Sequence, residues 1–233
     1  DGILKSVAPA GLTEFSIPDS VTTIEEGVFE DCRSLISVTI GDSVTAIGGG
    51  AFRSCTSLQM FKGEFAEDNG RIWVVDGTLI AFAPAGLTEY TIPDSVTAIG
   101  KYAFEDCSSL TRVTIPDSVT MVGNSAFARC TSLTRITIPD SVTTIGEEAF
   151  EDCESLAIVT IGSSVEEIGE DAFENCNIDG DIRGNTYAII DVVVCRSQVP
   201  PKINGSFSGI MKLIIPEGCE EAYANSDWGQ YLE

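Results

Sequence analysis

The residues best suited to chemistry in this chain are its cysteines, and six of the eight, Cys32, Cys55, Cys107, Cys130, Cys153 and Cys176, recur at steps of 23 or 52 residues. Such spacing places them in one column of a stacked array, with side chains parallel and about 4.8 Å apart. A disulfide needs converging Cβ atoms about 3.8 Å apart, and a metal needs ligands that meet at a point. A column supplies neither, so the six are expected as buried free thiols acting as small apolar groups. Cys195 and Cys219 lie outside the column, and spacing leaves their pairing open. The chain has no histidine, which removes the commonest general base and the usual activator of a Ser or Cys nucleophile. Acidic pairs such as Glu105-Asp106, Glu147-Glu148, Glu151-Asp152 and Glu170-Asp171 sit at turns, and no two carboxylates stand out as a glycosidase pair. No catalytic residue and no cofactor is expected.

Two further sets of residues are candidates for binding. Asp94, Asp117 and Asp140 follow one another at the 23-residue step, with Asp19 and Asp42 as equivalents. Like charges so close repel, and a divalent cation such as calcium would relieve them. Pro-Asp-Ser is also an ordinary turn, which is the simpler reading. Arg112 and Arg135 occupy equivalent positions, flanked by Thr114 and Thr137, in a chain with only 13 basic residues. Two guanidinium forks side by side suit a carboxylate or sulfate; pairing with nearby acids or plain solvation is the competing reading.

These positions are set by a repeat. TIPDSVTAIGKYAFEDCSSLTRV, from Thr91, is followed by TIPDSVTMVGNSAFARCTSLTRI and TIPDSVTTIGEEAFEDCESLAIV, and two earlier copies put Ile17 and Ile40 at the same step. The longer step from Ile40 to Ile92 implies an irregular coil over residues 62–90. DGILKSVAPAGLTEFSIPDS at Asp1 realigns with DGTLIAFAPAGLTEYTIPDS at Asp76, so the chain opens partway through another such coil. Within a copy, Leu-x-x-Val-x-Ile alternates as a half-buried strand does. Pro-Asp-Ser turns the chain, Val-x-x-Ile-Gly reads as a second short strand whose Gly allows φ > 0, and Ala-Phe-x-x-Cys reads as one helical or 3₁₀ turn. One such unit cannot bury its apolar side alone; stacked units can. Phe29, Phe52, Phe104, Phe127, Phe150 and Phe173 are expected as an internal stack.

The string Leu-x-x-Val-x-Ile-Pro-x-Ser-Val-x-x-Ile-Gly-x-x-Ala-Phe-x-x-Cys-x-x-Leu resembles the treponemal-type leucine-rich repeat of BspA-like bacterial surface proteins, over residues 12–61 and 87–176. The stretch from Val192, VVVCRSQVPPKINGSFSGIMKLIIPEGCEEAYANSDWGQYLE, is similar to that family's C-terminal capping segment. The resemblance implies an α/β, strand-rich, right-handed and horseshoe-like solenoid, with a parallel strand ladder and short helical or 3₁₀ turns. It divides the chain into repeats over 1–176 and a cap over 177–233, closed by Tyr223 and Trp228. It also implies export, with the signal removed, and display at the cell surface as a non-enzymatic module that binds a protein or glycan.

Composition bounds the partners. A formal charge of −23, from 13 basic and 36 acidic residues, repels nucleic acid and anionic lipid over a Debye length of about 8–10 Å. No apolar run reaches the roughly 18 residues of a spanning helix. The expectation is a monomer; the alternative role is a spacer or a self-associating surface-layer element.

Overall fold

Each repeat makes one coil of a solenoid, and the coils stack through backbone hydrogen bonds on every side. The computed structural model describes residues 2–8, 11–180, 186–205, 207 and 209–232. One side is a parallel ladder of longer strands, Glu89–Thr91, Arg112–Thr114, Arg135–Thr137 and Ile158–Ile161. The second is a ladder of two-residue strands, Ala98–Ile99, Met121–Val122, Thr144–Ile145 and Glu167–Ile168. The N-terminal coils repeat the arrangement, with Glu14–Ser16, Ser37–Thr39 and Met60–Lys62 on one side and Ile3–Leu4, Thr23–Ile24 and Ala46–Ile47 on the other.

The third side differs from the expected helical turn. Bonds of 3₁₀ span do form, from Ala128 N–H to Ser125 and from Cys130 N–H to Phe127. They do not propagate, because Ser125 and Arg129 have φ of 50° and 57°, and Tyr102, Asp106, Glu148, Asp152, Asp171 and Asn175 at equivalent places have φ of 53–61°. The left-handed residues turn alternate N–H groups toward the next coil. Ser125, Phe127 and Arg129 donate to the carbonyls of Glu147, Ala149 and Glu151. The stacking bonds satisfy groups that a lone helical turn would leave open.

The repeat glycine also has a different role from the one its type suggested. Gly100, Gly123, Gly146 and Gly169 are absent from the positive-φ residues. A Cβ at Gly123 would lie 2.9 Å from the Gly100 carbonyl carbon, and one at Gly169 would lie 2.4 Å from the Glu147 nitrogen. Close approach of consecutive coils selects glycine here.

The irregular coil is an antiparallel meander, Ala66–Glu67, Ile72–Val75 and Thr78–Phe82, closed between its last two strands by Asp76-Gly77 with φ of 48° and 75°. Its strands are buried on both faces: Ile72 and Val74 join the C-terminal core, whereas Trp73 and Ala81 join the N-terminal one. The expected phenylalanine stack is therefore two stacks. Phe29 and Phe52 lie 4.8 Å apart, and Phe104, Phe127, Phe150 and Phe173 follow one another at 4.8–5.1 Å. The 75-residue internal offset is visible in the pairing, since Ile3 faces Thr23 as Thr78 faces Ala98.

Both ladders run on past residue 176. Val192–Cys195 and Leu213–Ile214 extend the long-strand side, and Lys202–Ile203 the short-strand side. An antiparallel pair, Ile178–Gly180 with Thr186–Ala188, stands beside them. Phe207 prolongs the ring stack 4.9 Å from Phe173, and Trp228 covers it at 5.4 Å. The short helix Glu220–Ala224 and the 3₁₀ segment Asp227–Tyr231 carry Tyr223 and Trp228, both fully buried.

Candidate functional site on the strand face

In the long-strand ladder Val113 and Ile136 point inward, so Arg112, Thr114, Arg135 and Thr137 face solvent. Arg112 and Arg135 are register partners on adjacent strands. Neither forms an ion pair with a described residue, although Glu89 is Arg112's register partner on its other side. The threonines here differ from those at the strand borders. Thr97, Thr120 and Thr143 form a column whose hydroxyls donate to Gly77, Thr97 and Thr120 carbonyls of the preceding coil. Thr114 and Thr137 make no such bond to a described residue.

A groove of about 400 Å³ runs along this face, lined by Arg112, Thr114, Arg135, Thr137, Asp140 and Arg196 among others. A second of about 240 Å³ adjoins it at Glu89, Thr91 and Arg112. Arg196 is the residue that the repeat pattern did not reveal. It follows Val192–Cys195, which pairs with Ile158–Ile161, and reaches across Gly162 to place Nη1 3.7 Å from Asp140. Gly162 stands where the three preceding copies carry Pro93, Pro116 and Pro139, and a Cβ there would meet the Pro139 carbonyl at 2.1 Å. The alternation in Val-Val-Val-Cys-Arg was the available signal, since it continues the strand pattern outside the 23-residue register.

The aspartate column is exposed. Asp140 accepts the Ser163 N–H at 2.8 Å, and that bond, aided by Arg196, holds its carboxyl below the usual aspartate range. Asp117 borders the groove, and Asp94 stands at the turn of the preceding coil. Among the described residues no group of three or more acidic, Cys or His side chains converges as a metal site.

The cysteine column is internal, and all eight thiols are free. The Sγ–H groups of Cys130, Cys153 and Cys176 each donate at 3.2 Å to the carbonyl of the phenylalanine one coil back, Phe104, Phe127 and Phe150. Burial pushes the Cys130 thiol up to about 12, which leaves it poorly nucleophilic. Cys195 is buried and accepts the Tyr223 hydroxyl at 3.0 Å; Cys219 is half-buried.

The acidic pair Glu105-Asp106, noted in the sequence only as turn residues, belongs to a charged cluster in which Glu105 is buried. At the junction of the two cores, Arg129 bonds both Glu105 and Asp106, and the Ser54 hydroxyl donates to Asp106. Glu105 is buried with its Oε2 unpartnered, and desolvation raises its pKa against the opposing pull of Arg129 and Arg53. Its neighbours come from three coils, which is why no local motif announced it.

Residues 8–65 and 80–190 match the family model described as a BspA type leucine rich repeat region, in six copies. Comparison with curated proteins gives no match. Among solved structures, a leucine rich cell surface protein from Faecalibacterium prausnitzii A2-165 is 27% identical with a TM-score of 0.50, over 71% of this chain and 58% of that one. A leucine-rich repeat protein from Bacteroides ovatus is 23% identical with a TM-score of 0.50, over 87% and 63%. The pneumococcal vaccine antigen PcpA is 18% identical with a TM-score of 0.51, over 88% and 68%. The chain thus spans less than two thirds of the length of the first two.

Proposed function

This chain belongs to the BspA-type leucine-rich repeat family, and we propose that it is a non-enzymatic interaction module of a bacterial cell surface. Its binding surface is the outward face of the long-strand ladder, and its partner is a protein or glycan met outside the cell. The surface-protein description of the Faecalibacterium relative supports the location. No helix among the described residues is long and apolar enough to cross a membrane.

The observation that carries the proposal is the aligned pair Arg112 and Arg135. In a chain with a large acidic excess, two adjacent guanidinium groups, neither in an ion pair with a described residue, line an open groove with Thr114 and Thr137. Carboxylates for an internal salt bridge are plentiful in the chain, yet both cations remain available to a ligand. Repeat arrays commonly bind through such extended faces. The test is a binding screen of the purified chain against immobilised matrix proteins, glycans and whole cells, at low and high salt. Saturable, salt-sensitive binding that disappears with Arg112→Glu and Arg135→Glu together is expected; binding that survives the double reversal excludes this face.

A further inference from the structure

Resting on the strand face as the binding surface, we infer that its ligand is an acidic polypeptide segment whose carboxylates alternate with aliphatic side chains. The inference comes from a change of chemistry along that face. One outward row runs Glu89, Arg112, Arg135, Ile158, Val192 in register. The neighbouring row carries Thr91, Thr114, Thr137 and Thr160, then Val194 and Ile214. After Glu89 the second and third strands are cationic and hydroxylic; from Ile158 onward the outward positions are aliphatic apart from the half-buried Thr160. Ile158 and Ile214 are each 39% exposed, and Val192 and Val194 are half-buried.

Arg112, Arg135 and Arg196 stand beside this strip, Arg196 paired with Asp140 and Asp117 bordering the same groove, and the exposed Lys212 lies at its far end; Arg112 and Arg135 are the cations left for a ligand. Cations and aliphatic groups on one face complement a partner that has carboxylates and aliphatic groups on one face. A sugar polymer would satisfy the arginines but gain little from Ile158 and Ile214. The side chains of the two outward rows include no aromatic ring, and both tryptophans, Trp73 and Trp228, are buried in the cores. The whole acidic chain repels any anion, which disfavours a phosphate polymer, charged at every unit, more than a segment whose carboxylates alternate with aliphatic residues.

The test uses the intact chain as bait for displayed random peptides, in parallel with an array of sulfated and uronic-acid glycans. Enriched peptides are expected to carry Asp or Glu beside Leu, Ile, Val or Phe. A synthetic copy of the strongest should bind roughly tenfold or more weakly to the Arg112→Glu/Arg135→Glu chain, and likewise to the Ile158→Ser/Ile214→Ser chain. Melting curves check that these outward substitutions leave the coils folded. Failure to enrich any peptide, enriched peptides without acids, or binding indifferent to the aliphatic pair overturns the inference. Glycan binding alone, lost on arginine reversal, overturns it while leaving the strand face as the binding surface. Binding untouched by either pair of substitutions overturns both.

Discussion

At the scale of the residue, the buried carboxyl of Glu105 links folding to pH. Desolvation raises its pKa in the folded chain, and the Arg129 and Arg53 charges offset this only in part. Between the ordinary glutamate value of about 4.3 and the raised folded value, the folded chain binds more protons at this site than the unfolded chain does. Its contribution to stability therefore falls as pH rises through that window. Glu105→Gln removes this slope, so the stability of the native chain minus that of the variant should decline with rising pH there. Denaturant unfolding at a series of pH values checks it, and parallel curves would contradict it. The arginine pair was legible from type and spacing, because both lie in repeat register. Arg196 and the Glu105 cluster were not, since each is assembled across coils with a different residue in each place.

At the scale of the element, the glycine that follows the short strands of the regular coils, Gly100, Gly123, Gly146 and Gly169, decides how closely coils approach. Gly169→Ala needs no unusual backbone angle, but its Cβ would meet the Glu147 nitrogen at 2.4 Å. Prying apart two coils at such a contact should cost about 1–3 kcal/mol, the usual range for overpacking. An unfolding midpoint equal to that of the native chain would show that the coils relax freely. The two strands of each coil, the Pro-Asp-Ser turn and the inward phenylalanines were readable, because alternation and period recur from copy to copy; that the phenylalanines form two stacks was not, since the hairpin that divides them lies outside the repeat. The third side was not. Ala-Phe-x-x-Cys has helical spacing, yet Ser125, Arg129 and their equivalents adopt left-handed φ, a conformation that non-glycine sequence does not announce. What compensates them is the bonding to the next coil, information that resides in the stack and not in the segment.

At the scale of the whole molecule, the solenoid is two cores separated by a buried hairpin and closed at the C-terminal end by an aromatic lid. Trp228 covers Phe207 and donates its Nε1–H to the Pro201 carbonyl at 2.8 Å. Trp228→Ala should cost about 3–5 kcal/mol locally. Because each coil is held mainly by its neighbours, amides of Val192–Cys195 and Leu213–Ile214 should lose exchange protection before those of Arg112–Thr114. Uniform loss across all coils would mean that the array unfolds as one unit. The ladder holds Arg112, Thr114, Arg135 and Thr137 on successive coils at fixed spacing, so the proposed binding face is a property of the stack and no single repeat contains it.

The central claim, that the long-strand face is where the partner sits, is tested most directly by site-specific capture. A photo-crosslinking residue placed at Thr114 is compared with one at Met121, which is also exposed but lies on the short-strand ladder. Capture of a partner found in the binding screen from position 114, and little from position 121, is the result expected. Capture from position 121 alone would move the binding surface to the other side of the solenoid and contradict the account.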